Sequence, residues 1–212
     1  MPKPSVLLDM NGLNSLARTN SADMPALISA VVLTASAFAQ TVTASGAATT
    51  VRFSNDFVGA ARSLNLHVSA LQDSSIFGWR GRFFANFPIT DGELDLQTAR
   101  GEIAHKGGLQ IAAGQTEVKL RSFVIDTTGD APVLTGLVVV NDSLVGRVPL
   151  FDVALPSGFS VPIRPQRGTI FIRDAKLTLT DDAAGALNSI FGVSAFAEGL
   201  NIGDANVLVI GH

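Results

Sequence analysis

The chain has 212 residues, a formal net charge of −3 and no cysteine. The missing thiols exclude zinc–thiolate sites, iron–sulfur clusters, thiol nucleophiles and a lipidated N-terminal cysteine. The arginines (Arg80, Arg82, Arg100, Arg121, Arg147, Arg164, Arg167, Arg173) are scattered, as solvated strand faces and turn residues would be. A mildly acidic chain with no basic run is a poor partner for phosphate backbones, nucleic acid or anionic lipid.

The first distinctive stretch is the apolar run from Pro25 to Ala39, closing on Ala37-Phe-Ala39 and followed by Gln40. Small-x-small at the end of a short apolar run is the pattern of a secretory cleavage site. The run is also too short to span a bilayer core of about 30 Å as a helix, which takes roughly 20 residues. Residues 1–39 are therefore read as an export leader, which implies a secreted, periplasmic or cell-surface protein. Its n-region is not positive, because Lys3 and Arg18 are offset by Asp9 and Asp23. A start at Met24, directly before the run, would account for that; a buried helix at the domain's N-terminus is the alternative. Residues 40–46 read as a polar spacer, and 47–212 as a single β-rich domain. Such a domain is long enough to bury a core without disulfides.

After the spacer, Val51-Arg-Phe53 leads into a capped helix. Ser54 is the cap, Asp56 sits in the first turn, and Phe57, Ala60, Ala61 and Leu64 fall at helical spacing. Val68-Ser-Ala70 follows as a second strand or loop. Asp91-Gly-Glu93-Leu-Asp95 puts three carboxylates on one face of an extended chain. A calcium ion wants six to eight oxygens, so a polar strand face is the expectation. Gly101-Glu-Ile-Ala-His105-Lys-Gly-Gly-Leu-Gln-Ile111 reads as strand, histidine, double-glycine turn and strand. Thr116–Asp126 alternates apolar and polar residues, with Val118 and Leu120 in one phase and Phe123 and Ile125 in the next; the slip at Ser122 predicts a bulge. Thr135–Val140, Val148–Leu155 and Gly168–Thr180 are strand-like, rich in β-branched and aromatic residues. Asp91-Gly92, Gly107-Gly108, Gly129-Asp130, Asn141-Asp142 and Pro156-Ser-Gly158 are turn signals.

A second capped helix follows Leu177-Thr-Leu179. Thr180 is its cap, Asp181 and Asp182 fill its first turn, and Ala183, Ala184, Leu187 and Ile190 form its face. Val193-Ser-Ala195 echoes Val68-Ser-Ala70, which makes the two segments a weak strand–helix pseudo-repeat. The last stretch, from Val207, is strand length and no membrane anchor. The expected architecture is mainly β: an antiparallel β-sandwich or curled sheet with two short capped α-helices packed on it.

Catalytic patterns are missing. There is no Gly-x-Ser-x-Gly elbow and no glycine loop ahead of a helix to cradle a phosphate. The histidines after the leader are His67, His105 and the terminal His212. His67 flanks a strand, as structural histidines do. His105, beside glycines, has backbone room for a large ligand. Phe77, Phe83, Phe84, Phe87, Phe123, Phe151 and Trp79 could form a core or wall a flat apolar ligand.

Ala104-His-Lys-Gly-Gly-Leu109 is similar to the histidine-glycine-glycine hairpin of HtaA domains, exported bacterial β domains associated with haem capture. Leu177 to Gly192, with Ala197-Glu-Gly-Leu-Asn-Ile-Gly203 after it, resembles that family's closing helix and glycine loop. The resemblance covers about 47–212 and implies a non-enzymatic cell-envelope module for haem. Its haem site implies a tyrosine ligand, and this chain has no tyrosine. All three methionines lie in the leader, so histidine alone remains of the usual axial ligands. Iron would then fall to His105, or to His67, with Lys106, Gly107 and Gly108 around the ligand; the alternative role for His105 is donor to a haem propionate. Two readings follow: a binding module for haem or another flat hydrophobic ligand, or a structural domain that meets another cell-surface protein and holds no small ligand. The first predicts His105 exposed in an apolar cleft of roughly 300–1,000 Å³; the second predicts it on a solvated turn.

Overall fold

The computed structural model describes residues 40–211; the expected leader and His212 lie outside them. The described elements are β1 (Thr41–Phe53), α1 (Asn55–Ser63), β2 (His67–Ala70), β3 (Ser75–Trp79), β4 (Arg82–Asp95), β5 (Gly101–His105), β6 (Gly108–Ala113), β7 (Thr116–Asp126), β8 (Val133–Val140), β9 (Ser143–Ala154), β10 (Thr169–Leu179), α2 (Asp181–Phe191) and β11 (Asn201–Gly211). Among the described residues the chain is mainly β, antiparallel throughout, with two short helices. Its sheet is more specific than a sandwich or a curl. It runs β7-β5-β4-β1-β11-β10-β9-β8, and β8 pairs back onto β7, closing an eight-stranded barrel. Closure pairs β7 with β8, while β2, β3 and the first part of β9 keep a free edge among the described residues.

Alternating inward residues build the interior. In β7, Val118 and Leu120 are buried, the phase resets at Ser122 (φ +50°), and Phe123 and Ile125 are buried beyond it. The ladder to β8 shifts register at that point, as the slip predicts. β1 begins earlier than expected: Thr41–Thr43, read as spacer, pair with Glu93–Asp95 of β4. A bulge between Ala44 and Ala47, with Gly46 and Ala47 at positive φ, interrupts the alternation and gives this stretch its spacer-like look. Asp91-Gly92 is likewise no turn. It lies within β4, next to a register shift against β5.

The two ends of the barrel differ. At one end β5 lies between β4 and β7, pairing through Leu94–Asp91 and Asp126–Val124. Toward the other end, three strands take β5's place. β3 pairs with β4 over Arg82–Asn86, β6 pairs with β7 over Thr116–Arg121, and β2 adds to β6. The turn Leu71–Ser74 joins β2 to β3, and the Ser74 hydroxyl is tied to Gly108 on both its N–H and its carbonyl. Barrel width grows with strand number, so the wall spreads here. The helices leave β1 and β10 at this end.

Both caps form as expected. The Ser54 hydroxyl accepts from the Phe57 N–H at 2.9 Å, and the Thr180 hydroxyl accepts from the Ala183 N–H at 3.2 Å. The pseudo-repeat covers strand, cap and helix, then ends. Val68–Ala70 lies in β2, whereas Val193–Ala195 lies in a loop whose fold is set by paired bonds between the Asn188 amide and the Phe196 backbone. β11 then runs between β1 and β10, while β2 leaves for β6.

Candidate functional site

The double glycine after His105 does not make a hairpin. β5 and β6 never pair with each other. Both run antiparallel to β7 along the same edge: Ala104 faces Val124, and Gly108 faces Arg121. They are one long strand broken at Lys106-Gly107, and the true hairpin turn is at Gly114-Gln115. The glycines serve backbone packing. A Cβ on Gly107 (φ +80°) would come within 2.8 Å of Ser74, and one on Gly108 within 2.0 Å of the Leu120 carbonyl oxygen. Neither borders the interior space. Lys106 points away as well, half-exposed and 3.5 Å from the Asp73 carboxylate.

His105 falls in the inward phase of β5 with Ile103 and is 4% exposed, so it is buried in the wall and neither open in a cleft nor on a solvated turn. It borders a cavity of about 380 Å³ at the wide end, within the range of small-molecule sites. The lining is almost wholly apolar: Phe53, Phe57, Phe87, Phe123, Phe151 and Phe196 contribute rings, and Leu187 and Ile190 of α2 cover it. Among the described residues, only Thr49, His105 and Asp182 bring polar side chains. Val145, Asp182 and Ala186 are lining residues that stay exposed, which places the mouth between α2 and β9. β9 has an unpaired edge there, because β10 pairs only with Phe151–Ala154.

His105 is held at both ring nitrogens. Nδ1 is 3.2 Å from the Phe123 carbonyl oxygen, and Nε2 is 2.7 Å from the Thr49 hydroxyl. A carbonyl only accepts, so Nδ1 carries the proton and Nε2 is the acceptor, with Thr49 donating. Burial pushes the imidazole pKa down to about 4, outweighing the carbonyls of Phe123 and Ile103, which favour the charged form. The group is therefore a neutral imidazole with its Nε2 lone pair at the cavity wall. This is the state that ligates metal, and a backbone carbonyl behind Nδ1 is the usual support for such a ligand. An Nε2 lone pair cannot donate to a carboxylate, so His105 in this tautomer is unsuited to holding a haem propionate.

The structure keeps His67 apart from this site. It is exposed at the start of β2, opposite Ala112, and only its neighbour Leu66 reaches the cavity. The aromatic residues divide. Phe87, Phe123 and Phe151 line the cavity, whereas Phe77, Trp79 and Phe83 are exposed on the β3–β4 hairpin. Sequence reasoning missed Thr49, whose only signal is a hydroxyl at an inward position of β1. Among the described residues no three His, Asp or Glu side chains gather as a metal cluster, and no helix is long and apolar enough to cross a membrane.

No protein-family model matches the sequence, and no curated protein matches it. Solved structures do. The fold is that of HtaA-type domains. The C-terminal domain of HtaA from Corynebacterium glutamicum superposes with a TM-score of 0.57 at 12% identity, over 81% of this chain and 99% of that one. The haem-binding protein HtaB from the same organism gives 0.52 at 8% identity, over 81% and 95%. A domain-swapped dimer of a histidine-to-alanine variant of the HtaA domain gives 0.50 at 16% identity, over 73% and 90%.

Proposed function

We propose that this domain is a non-enzymatic binding module that works outside the cytoplasm, secreted, periplasmic or at the cell surface, and takes haem or another flat hydrophobic ligand into the barrel cavity. One observation carries the reading: a neutral histidine, backed by a carbonyl, presents Nε2 to an otherwise apolar cavity. A fold shared with a haem-binding protein supports it. His105 is the residue that would hold haem iron, and the iron would supply the bond that fixes the ligand. Thr49 must then give up its hydrogen bond to Nε2. The aromatic and aliphatic wall excludes water and packs the flat faces. His67, exposed on β2, has no part in this arrangement.

The test is a hemin titration of the full chain, read in the Soret region, beside His105→Ala. A saturable, shifted band that the variant loses is the expected result. No shift, or the same shift in both proteins, overturns haem ligation by His105.

A second reading has its own support. Among the described residues the lining holds no cation, and its charged member, Asp182, is an acid at the mouth. Haem carboxylates would find no partner there. An uncharged lipophilic ligand with a single hydroxyl or carbonyl could instead satisfy Thr49 and His105. Saturable binding of a neutral fluorophore such as phenylnaphthylamine, undisturbed by hemin, would favour this reading. If neither probe binds, a domain that meets only protein partners remains.

A further inference from the structure

We infer that the β3–β4 hairpin docks this domain on an anionic lipid surface by inserting Trp79 at headgroup depth. The hairpin outruns the barrel wall. β1 follows β4 only as far as Phe84, opposite Arg52, so among the described residues Gly78–Phe83 have no sheet neighbours except each other. Trp79 is 60% exposed, Phe77 46% and Phe83 39%. Large aromatic side chains at a projecting tip are costly in water unless something covers them.

The tip is also built and cationic. Arg80 (φ +49°) and Gly81 (φ +76°) form a two-residue turn of the kind that matches strand twist. Phe77 stacks on Phe84 with centroids 5.4 Å apart. The Arg80 guanidinium lies 4.6 Å from the Trp79 ring centroid, and Arg62 of α1 lies 5.9 Å from that of Phe83. Arg82 sits opposite Trp79. Ser75–Asn86 contains no acid, and among the described residues Arg62, Arg80 and Arg82 make no ion pair. A chain of net charge −3 thus carries a local cationic tip. Of the acids at the same end, Asp142, Asp181 and Asp182 lie on the β8–β9 turn and α2, Glu117 pairs with Lys119 and Asp73 with Lys106, and Asp56 sits in the first turn of α1. β9 is four places from β4 around the closed ring, across the barrel from the hairpin.

Charge complementarity and size favour lipid over protein. A stable protein interface takes roughly 800 Å² from each partner, more than a hairpin tip offers. An interfacial anchor needs only apolar groups sunk about 5–10 Å, with arginines reaching the headgroups. Tryptophan is the residue most at home at that depth.

Trp79 is the single tryptophan of the sequence, so its emission reports the hairpin alone. The apolar run 25–39 holds no tryptophan and adds nothing to this signal, even if it binds vesicles itself. The full chain is mixed with phosphatidylcholine vesicles and with vesicles of equal parts phosphatidylcholine and phosphatidylglycerol. A blue shift and quenching by brominated acyl chains, in the anionic vesicles only, is expected. Arg80→Gln with Arg82→Gln should weaken partitioning about thirtyfold, from about fivefold per cation lost. An unshifted spectrum, an equal shift in neutral vesicles, or no effect of the double substitution overturns the proposal. A response to heparin without one to vesicles overturns it too. None of these outcomes bears on the cavity, so this proposal and the ligand reading fail separately.

Discussion

The two ends of the barrel are built from the same kinds of residue and do opposite things. Where β5 closes the wall, Leu94, Ile103, Ile125 and Val207 fill the interior and leave only about 40 Å³. Where β6, β2 and β3 replace β5, leucines, valines and phenylalanines of similar size leave about 380 Å³. The difference lies in the strand count and not in the side chains. Three short strands hold the wall apart, and inward residues that would meet across a narrower barrel do not. A cavity can thus be made by topology from a sequence that reads as ordinary core.

The largest expected effect tests this directly. Leu96, 2% exposed at the closed end, should cost about 3–4 kcal/mol when changed to Ala. Leu120, also buried but facing the cavity, should cost about 2 kcal/mol, because part of its surface already lacks contact partners. Urea unfolding of both variants measures the gap; equal costs would mean that the wide end is packed as tightly as the narrow one.

The next effect is confined to the wide end. His105 stays neutral in the folded barrel down to about pH 4, while in the unfolded chain it takes up a proton near pH 6.5. The unfolded state then binds more protons, so stability falls as pH drops from 6.5 to 4, by about 3 kcal/mol in all. It is fully present above that window. His105→Gln should flatten the slope there. Asp126 and Asp142, whose pKa values are lowered by hydrogen bonds from Thr128 and Lys119, act only at lower pH. A slope that survives His105→Gln would place the acid sensitivity elsewhere.

The smallest effect sharpens the ligand reading. Thr49→Val keeps the volume and removes the donor to Nε2. An unpaired buried acceptor costs about 1–2 kcal/mol of stability, yet it frees the lone pair. If His105 takes iron, hemin should bind the variant several-fold tighter while thermal stability drops. Weaker hemin binding would show that Thr49 belongs to the ligand's own contacts.

Features set by neighbours in sequence were legible. The bulge at Ser122, the caps Ser54 and Thr180 and their acids need no tertiary context. Lys106-Gly107 was not legible as a strand break, because a glycine pair reads as a turn unless the facing strand is known. Here the Ser74 turn and the Leu120 carbonyl demand those glycines. Val193–Ala195 has the composition of Val68–Ala70 but no strand edge to join. The His105 side of the site could be named from sequence. Its partner Thr49 lies 56 residues away and meets it only through the register of β1, β4 and β5. The closing seam is likewise a matter of long-range register.

One consequence of the place of β11 concerns time. β11 pairs with β1 on one side and β10 on the other, so the last described strand joins the first. During synthesis β1 and β10 each wait with an open edge until β11 emerges, and the pairing then spans nearly the whole described chain. Such late, distant contacts make folding slow and leave the nascent sheet prone to wrong partners. A chain that cannot close its barrel until β11 is made stays incompletely folded for as long as synthesis takes to reach it.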